Sequence, residues 1–322
     1  MKEIGGYFEL ELPMKEEKFL HSDGVLLNSG RHALEYILLC LLPSVKKIYL
    51  PYYTCGVVLE PLNRLNIEYD FYHINLNLEI ERFPKLSEGE YIIVNNYFGI
   101  KDEYVRNLSQ KYHDNIILDQ AQAWYAPGIS GIKAFYSPRK FFGIPDGGIA
   151  FGLKNKTLDL TLERDLSHGR FHHLLMRHEL PASDGYESFR QTAANLSSEP
   201  LKRMSLLTES LLGSINMGKI KERRRENFSI LHQSLRYKNK LSIPPCQEFE
   251  CAMVYPYLTD NSNLRDKLIS HKIFVARYWP DVTERVNKNS IEHKLTKNLL
   301  ALPIDQRYGE AEMKRIISHI NE

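Results

Sequence analysis

The sequence predicts a parallel α/β fold, on three observations. Short apolar runs rich in β-branched and aromatic residues recur at 47–53, 67–74, 91–97, 115–119, 132–137 and 148–152. Helical stretches separate several of them, and such alternation is the pattern of a parallel sheet with crossover helices. The chain has 322 residues with 43% hydrophobic content, enough to bury a substantial core. The expected division is a large α/β domain at 1–205 and a smaller α/β unit at 206–322.

The first helix opens at Asn28-Ser29-Gly30-Arg31-His32, and its apolar positions Ala33, Leu34, Ile37, Leu38 and Leu41 follow the helical period. A helix entered through Ser-Gly presents free backbone N–H groups and a partial positive charge, which suits a phosphate. It would equally serve as an ordinary N-cap. The next run, Lys47-Ile48-Tyr49-Leu50, leads into Pro51-Tyr52-Tyr53-Thr54-Cys55 and brings an aromatic ring toward the same point. The run Asn115-Ile116-Ile117-Leu118-Asp119 reads as a buried strand ending on a carboxylate, followed by Gln120-Ala121-Gln122-Ala123. Ligands of open α/β sheets lie beyond the carboxyl ends of the strands, so Asp119 is placed to meet one. An Asp there also caps a following helix.

Between the last two runs of the first half lies Phe135-Tyr136-Ser137-Pro138-Arg139-Lys140-Phe141-Phe142-Gly143-Ile144-Pro145-Asp146-Gly147-Gly148. A lysine in an apolar turn is more easily deprotonated, and a neutral amine can attack a carbonyl carbon. Lysines beside aromatic rings also lay their stems on them and keep the ammonium in water. Beyond this point, 153–184 carries mixed charge and histidines and is expected to cross the surface or a dimer interface. Residues 201–235 read as long helices; 252–258 and 273–277 read as strands, and 264–271 as a helix.

Charge and cysteine usage narrow the function classes. With 42 basic and 40 acidic residues the formal charge is +2, which supplies no electrostatic reason for a nucleic-acid or membrane partner. No apolar run approaches a bilayer span. The four cysteines, Cys40, Cys55, Cys246 and Cys251, lack metal-ligand spacing, and free thiols in a chain without a signal peptide suit a reducing cytoplasm. The group His168, His172, His173, His178 and Glu179 lacks the His-Glu-x-x-His spacing of a zinc helix.

In order and spacing these segments resemble the DegT/StrS family of pyridoxal phosphate (PLP)-dependent sugar aminotransferases, of fold type I in the aspartate aminotransferase superfamily. That family carries a Ser-Gly-Thr-x-Ala-Leu turn, an Asp-Ala-Ala-Gln-Ala segment, and a Ser-Phe-His-x-x-Lys segment leading into Gly-Glu-Gly-Gly. The counterparts here are Ser29-Gly30-Arg31-His32-Ala33-Leu34, Asp119-Gln120-Ala121-Gln122-Ala123, and Phe135 to Lys140 leading into Pro145-Asp146-Gly147-Gly148. Val94-Asn95-Asn96-Tyr97-Phe98-Gly99, the paired Arg223-Arg224 and the closing Leu302-Pro303-Ile304 also resemble family segments, so the likeness runs from about Gly5 to about Ile320.

The resemblance implies the fold type I architecture, a mostly parallel central sheet in a large domain plus a small C-terminal α/β domain. It implies PLP as cofactor, Lys140 as the Schiff-base lysine and later proton carrier, Asp119 at the pyridinium nitrogen, and Gln122 at the phenolic oxygen. Ser29, Gly30 and Arg31 would form the phosphate turn. A homodimer is implied too, because the cofactor of this superfamily lies between subunits. The departures are specific. Phe135 stands where the family has a phosphate-binding Ser, leaving Ser137 as the phosphate candidate. The ring-stacking aromatic aligns with Cys55, so Tyr53 or Tyr52 is expected to take over. The family's Asn that reaches the partner's phosphate falls near Glu187, which makes Arg190 the better contact. The implied activity is transfer of an amino group from an amino acid such as glutamate to a keto sugar, nucleotide-linked, in polysaccharide or amino-sugar synthesis. Two other readings stand beside it: a PLP enzyme acting on an amino acid held by Arg277, and a non-catalytic relative acting as a ligand sensor or assembly partner.

Overall fold

Alternation along the strands sorts the apolar side chains onto the two faces of one sheet. The computed structural model describes residues 6–8, 10–13, 18–153, 158 and 162–322. The Gly5 start of the family likeness and part of the surface crossing expected after Leu153 lie outside the described residues. The strands are β1 (Val25–Leu27), β2 (Lys47–Pro51), β3 (Glu68–Tyr72), β4 (Glu90–Asn95), β5 (Ile116–Gln120), β6 (Lys133–Tyr136) and β7 (Gly148–Phe151). They form a seven-stranded sheet in the order β1-β7-β6-β5-β4-β2-β3. β7 runs antiparallel to β6 and β1, and the other pairings are parallel. β5 lies at the centre, and all of its residues are buried, as expected of a strand covered on both faces.

Ile93, Ile117, Phe135 and Ala150 point into one core cluster, while Ile92, Val94, Ile116, Leu118, Ala134, Tyr136 and Ile149 point into the other. The first face is covered by α1 (Gly30–Leu41), which buries Ala33, Leu34, Ile37, Leu38 and Leu41 against it. Helices α2 (Leu59–Arg64) and α3 (Asp102–Lys111) follow β2 and β4. Next come α4 (His172–Glu179), α5 (Tyr186–Ser198), α6 (Leu206–Ser214) and α7 (Met217–Leu235). The C-terminal part contains β8 (Tyr255–Leu258), α8 (Leu264–Ser270), α9 (Val282–Arg285), α10 (Ile291–Asn298), β9 (Leu299–Leu302) and α11 (Glu310–Asn321). β8 and β9 pair antiparallel. Phe228, Leu231 and Leu235 of α7 and Met313 and Ile316 of α11 join the second core cluster.

Two expectations shift. The strand expected at 273–277 is reduced to one bridge, Ala276 to Ala301, because the chain leaves β9 and turns at Trp279, whose φ is 51°. β1 was not anticipated, since three residues are too short to show a period.

Two buried charges tie the loop after Lys140 to the rest of the molecule. Arg224 of α7 donates from Nη1 to the Met253 carbonyl at 2.9 Å, from Nη2 to the Phe141 carbonyl at 3.3 Å and from Nε to Gln306 Oε1 at 3.1 Å. Its guanidinium also stacks on the Phe141 ring, 4.8 Å from the centroid. Asp146 is fully buried and accepts from Ser167 Oγ at 2.7 Å, Thr208 Oγ1 at 2.5 Å, and Arg170 Nε and Nη2 at 2.9 and 2.7 Å. It fixes Gly147, whose φ of 107° only glycine adopts readily, at the start of β7. Asp146→Asn keeps the shape but loses the charge. Arg170 retains Asp165 as a partner, so a loss of about 2 kcal/mol is expected in denaturant unfolding.

Candidate active site

The strand register lays three side chains in one row. Asn95 pairs with Asp119 across β4 and β5, and Asp119 pairs with Phe135 across β5 and β6. Ile93 and Ile117 belong to the α1-side core, and the period of two then places Asn95 and Asp119 on that same face. Ser137 lies two residues past Phe135, and the start of α1 stands opposite. The row closes one wall of a cleft of about 930 Å³ of empty space, partly open to solvent, at the carboxyl ends of the parallel strands. Ser29, Gly30, Arg31, Cys55, Asp119, Gln122, Ser137 and Lys140 all line it.

Asp119 accepts the Ala121 N–H at 2.9 Å through Oδ1. Burial raises its pKa above the ordinary carboxyl value, opposed by the Lys140 ammonium and by that backbone bond. A carboxylate so placed is stabilised by a cation arriving in the cleft. Gln122 accepts the Phe98 N–H at 3.0 Å through Oε1, which leaves Nε2 buried with no acceptor among the described residues. Asn95 donates to Thr54 Oγ1 at 3.0 Å, and its Oδ1 is likewise buried without a partner. Orphaned buried amide atoms cost about 1–3 kcal/mol each unless something meets them, so this wall is built for a polar ligand.

At the other end, the Ser29 hydroxyl caps α1. It accepts the His32 N–H at 3.2 Å and shares a 2.9 Å hydrogen bond with His32 Nδ1. Burial lowers the His32 pKa to about 4, so the ring is neutral, and its Nε2–H donates to the Glu199 carbonyl at 2.9 Å. With the Ser29 hydroxyl thus committed, the start of α1 meets the cleft through Gly30 and Arg31. A Cβ added at Gly30 would lie 3.0 Å from Ser137 Cβ, so glycine lets the helix end approach the Ser137 turn.

Lys140 ends the short turn Pro138–Lys140 and is exposed. The sequence expectation of a lysine sunk in apolar surroundings is corrected here. Phe141 and Phe142 turn into the core at 2% and 5% exposure, and the Lys140 side chain stands clear of them at the cleft.

Four other anticipated residues lie outside the cleft wall. Tyr53 is buried in the core, with its ring 4.7 Å from Trp279 and 5.7 Å from Tyr97, and Tyr52 stacks on Phe71. Neither lines the cleft; the aromatic side chains that do are Trp279 and Phe135. Arg190 and Glu187 are exposed on α5 and pair with each other at 3.5 Å, away from this chain's cleft. Arg277 is exposed and also outside it. Sequence reasoning missed Trp279 and Arg139 as cleft residues. Trp279 comes from far along the chain, carried by a segment that Arg285 ties to the Thr54 carbonyl at 2.9 Å, and no local pattern announces that meeting. Among the described residues no group of His, Cys, Asp or Glu is arranged for a metal ion.

This donor set suits a phosphorylated pyridine aldehyde: a carboxyl that gains from a cation, an amide donor unpaired among the described residues, a helix start and a lysine amine, all lining one cleft. The architecture, a central, mostly parallel sheet with a C-terminal α/β part, is shared with solved aminotransferase structures. Among solved structures, the chain is similar to the sugar aminotransferase CalS13 from Micromonospora echinospora at 14% identity and TM-score 0.61, covering 92% of this chain and 86% of that one. It is similar to a DegT DnrJ EryC1 StrS aminotransferase from Brucella abortus, again at 14% identity and TM-score 0.61, covering 92% and 84%. The PLP form of Spr1654 from Streptococcus pneumoniae matches at 15% identity and TM-score 0.61, covering 93% and 87%. No family model and no curated protein sequence matches the chain.

Proposed function

We propose that this protein is a PLP-dependent aminotransferase of the DegT/StrS type, moving an amino group from an amino acid such as glutamate to a keto sugar, nucleotide-linked, in amino-sugar or polysaccharide synthesis. The observation that carries the reading is the meeting of Asp119, Gln122 and Lys140 in one cleft whose Gln122 amide and Asn95 carbonyl lack partners. PLP would supply an aldehyde to hold the amino group and a ring to accept carbanion electrons. Asp119 would sit at the ring nitrogen, where a positive charge offsets its burial. Gln122 Nε2 would donate to the ring oxygen. Lys140, free of any hydrogen bond or ion pair among the described residues, would hold the aldehyde carbon and afterwards carry the proton between substrate and cofactor. Trp279 would supply the aromatic wall that Cys55 does not.

A homodimer follows on this reading, and the surface offers support for it. Leu175 and Leu180 at α4, and Tyr186 and Phe189 on α5, are exposed at 54%, 42%, 60% and 49%, an apolar surface close to the Ala193 and Leu196 positions that line the cleft. Arg190 on the same helix would then be carried toward the partner's site. Residues 1–205 would hold the cofactor, with 206–322 as the smaller unit. No helix among the described residues is long and apolar enough to cross a membrane, and the four cysteines are unbridged, which suits the cytoplasm. The amino-acid-enzyme reading leaned on Arg277, and its place outside the cleft removes that support.

The test is an absorbance spectrum of the purified protein incubated with PLP, repeated after adding glutamate. A visible band that moves to shorter wavelength is the expected result and directs the search to keto-sugar acceptors. With no band at all, the reading fails and the non-catalytic alternative takes its place.

A further inference from the structure

The wall of the cleft is unbalanced in charge. Among the described residues it carries three cations, Arg31, Arg139 and Lys140, against one carboxylate, Asp119. Only 8% of the Arg31 side chain is exposed; Nε pairs with Glu60 at 2.7 Å, and Nη1 has no hydrogen-bond partner among the described residues. Arg139 forms no hydrogen bond or ion pair among the described residues. The carboxylate that acts on it electrostatically, Asp146, is already occupied by Arg170, Ser167 and Thr208. Burial lowers the pKa of both arginines, and the Arg31 charge lowers that of Arg139 further. Partly buried like charges that line one cleft are relieved when an anion enters it.

We propose that Arg31 and Arg139 form a two-guanidinium clamp for a phosphate dianion, next to the Gly30 helix end and Ser137. Both side chains line the same cleft, and the planar fork of a guanidinium matches phosphate oxygens in two parallel hydrogen bonds. The inference rests on the proposed function for the identity of its ligand. Either the cofactor's own phosphate or the diphosphate of a nucleotide-linked substrate presents the required chemistry. Arg31 stands where the family it resembles has Thr, so on this proposal a charge replaces a hydroxyl at that position.

The experiment compares the cofactor-free protein with Arg31→Gln, Arg139→Gln and the double variant, by calorimetric titration with PLP, unphosphorylated pyridoxal, inorganic phosphate and uridine diphosphate. The double variant is expected to bind PLP about 100-fold more weakly, with pyridoxal changed less than about twofold, and inorganic phosphate should compete in the parent protein alone. Loss of uridine diphosphate binding with PLP unchanged would assign the same clamp to the substrate. Equal binding of all four probes by parent and double variant would overturn it. If the parent binds inorganic phosphate through these arginines but neither PLP nor uridine diphosphate, the clamp stands and the proposed function falls. Thermal melts check folding, and Arg139→Lys, which keeps the charge but not the fork, is expected to recover only part of the affinity.

Discussion

Lys140→Ala is expected to leave a folded protein that has lost its visible absorbance band with PLP and at least about 10⁴-fold of its transamination rate, the scale on which removal of a covalently acting group is felt. The two halves of this expectation have different origins. Folding should survive because Lys140 is exposed and the neighbouring Phe141 and Phe142 carry the packing. An exposed truncation of this kind costs no more than about 0.5 kcal/mol. The band should vanish because the other cations that line the cleft among the described residues are guanidiniums, which do not condense with an aldehyde at neutral pH. Borohydride treatment of the parent protein should fix the cofactor to the peptide that contains Lys140, and mass spectrometry reads the site directly. A variant that keeps its band, or a label on another lysine, would remove Lys140 from the mechanism.

Arg224→Ala is expected to act in the opposite way, on stability first. The side chain is 2% exposed and its donors serve three acceptors on three separate segments. Removing it leaves Met253 O and Gln306 Oε1 short of a donor at about 1–3 kcal/mol each and strips the face of Phe141, together about 4 kcal/mol. Phe141 O keeps Gln306 Nε2 at 2.9 Å, so the lysine turn loosens without being released. Denaturant unfolding should show the loss. The folded fraction should still bind PLP, with a slower rate because the turn that presents Lys140 has lost its strut. Arg224→Lys, which keeps the charge but cannot span three acceptors, should restore less than half. A variant as stable as the parent would mean that water replaces the guanidinium, and that α7 does not brace the site.

The parts of this site that were legible in the sequence are those that strand ends announce locally. Asp119 closes an apolar run, Ser29-Gly30 opens an apolar helical period, and Lys140 follows a strand across a Ser-Pro turn. Each is a change of pattern within a few residues, and topology then brings the ends together. What was illegible depends on where side chains go afterwards. The aromatic pair after Lys140 suggested burial of the amine, but rings and amine part company because the rings satisfy the core. Tyr53 was the natural candidate for the cleft from its place beside Cys55. The core claimed it, and Trp279 arrives through a left-handed backbone turn that no periodicity reveals. The guanidinium of Arg139 was hidden for a different reason: a basic residue beside Lys140 reads as an ordinary solvated charge until its lack of partners among the described residues is visible.

The row formed by Asn95, Asp119 and Phe135 has a consequence for folding fidelity. All three owe their place to a register in which side chains alternate faces at every step, so a slip of one residue by β5 would send Asp119 to the opposite face and bring Leu118 into its position. Such a slip would also push Asp119 into the second hydrophobic core, where a carboxylate finds no counterpart. The chemistry of the cleft and the correctness of the sheet are therefore read by the same residue. A misthreaded molecule does not become a poor version of this protein; it forfeits the cleft and its own stability at one stroke, and quality control meets it as an unfolded chain.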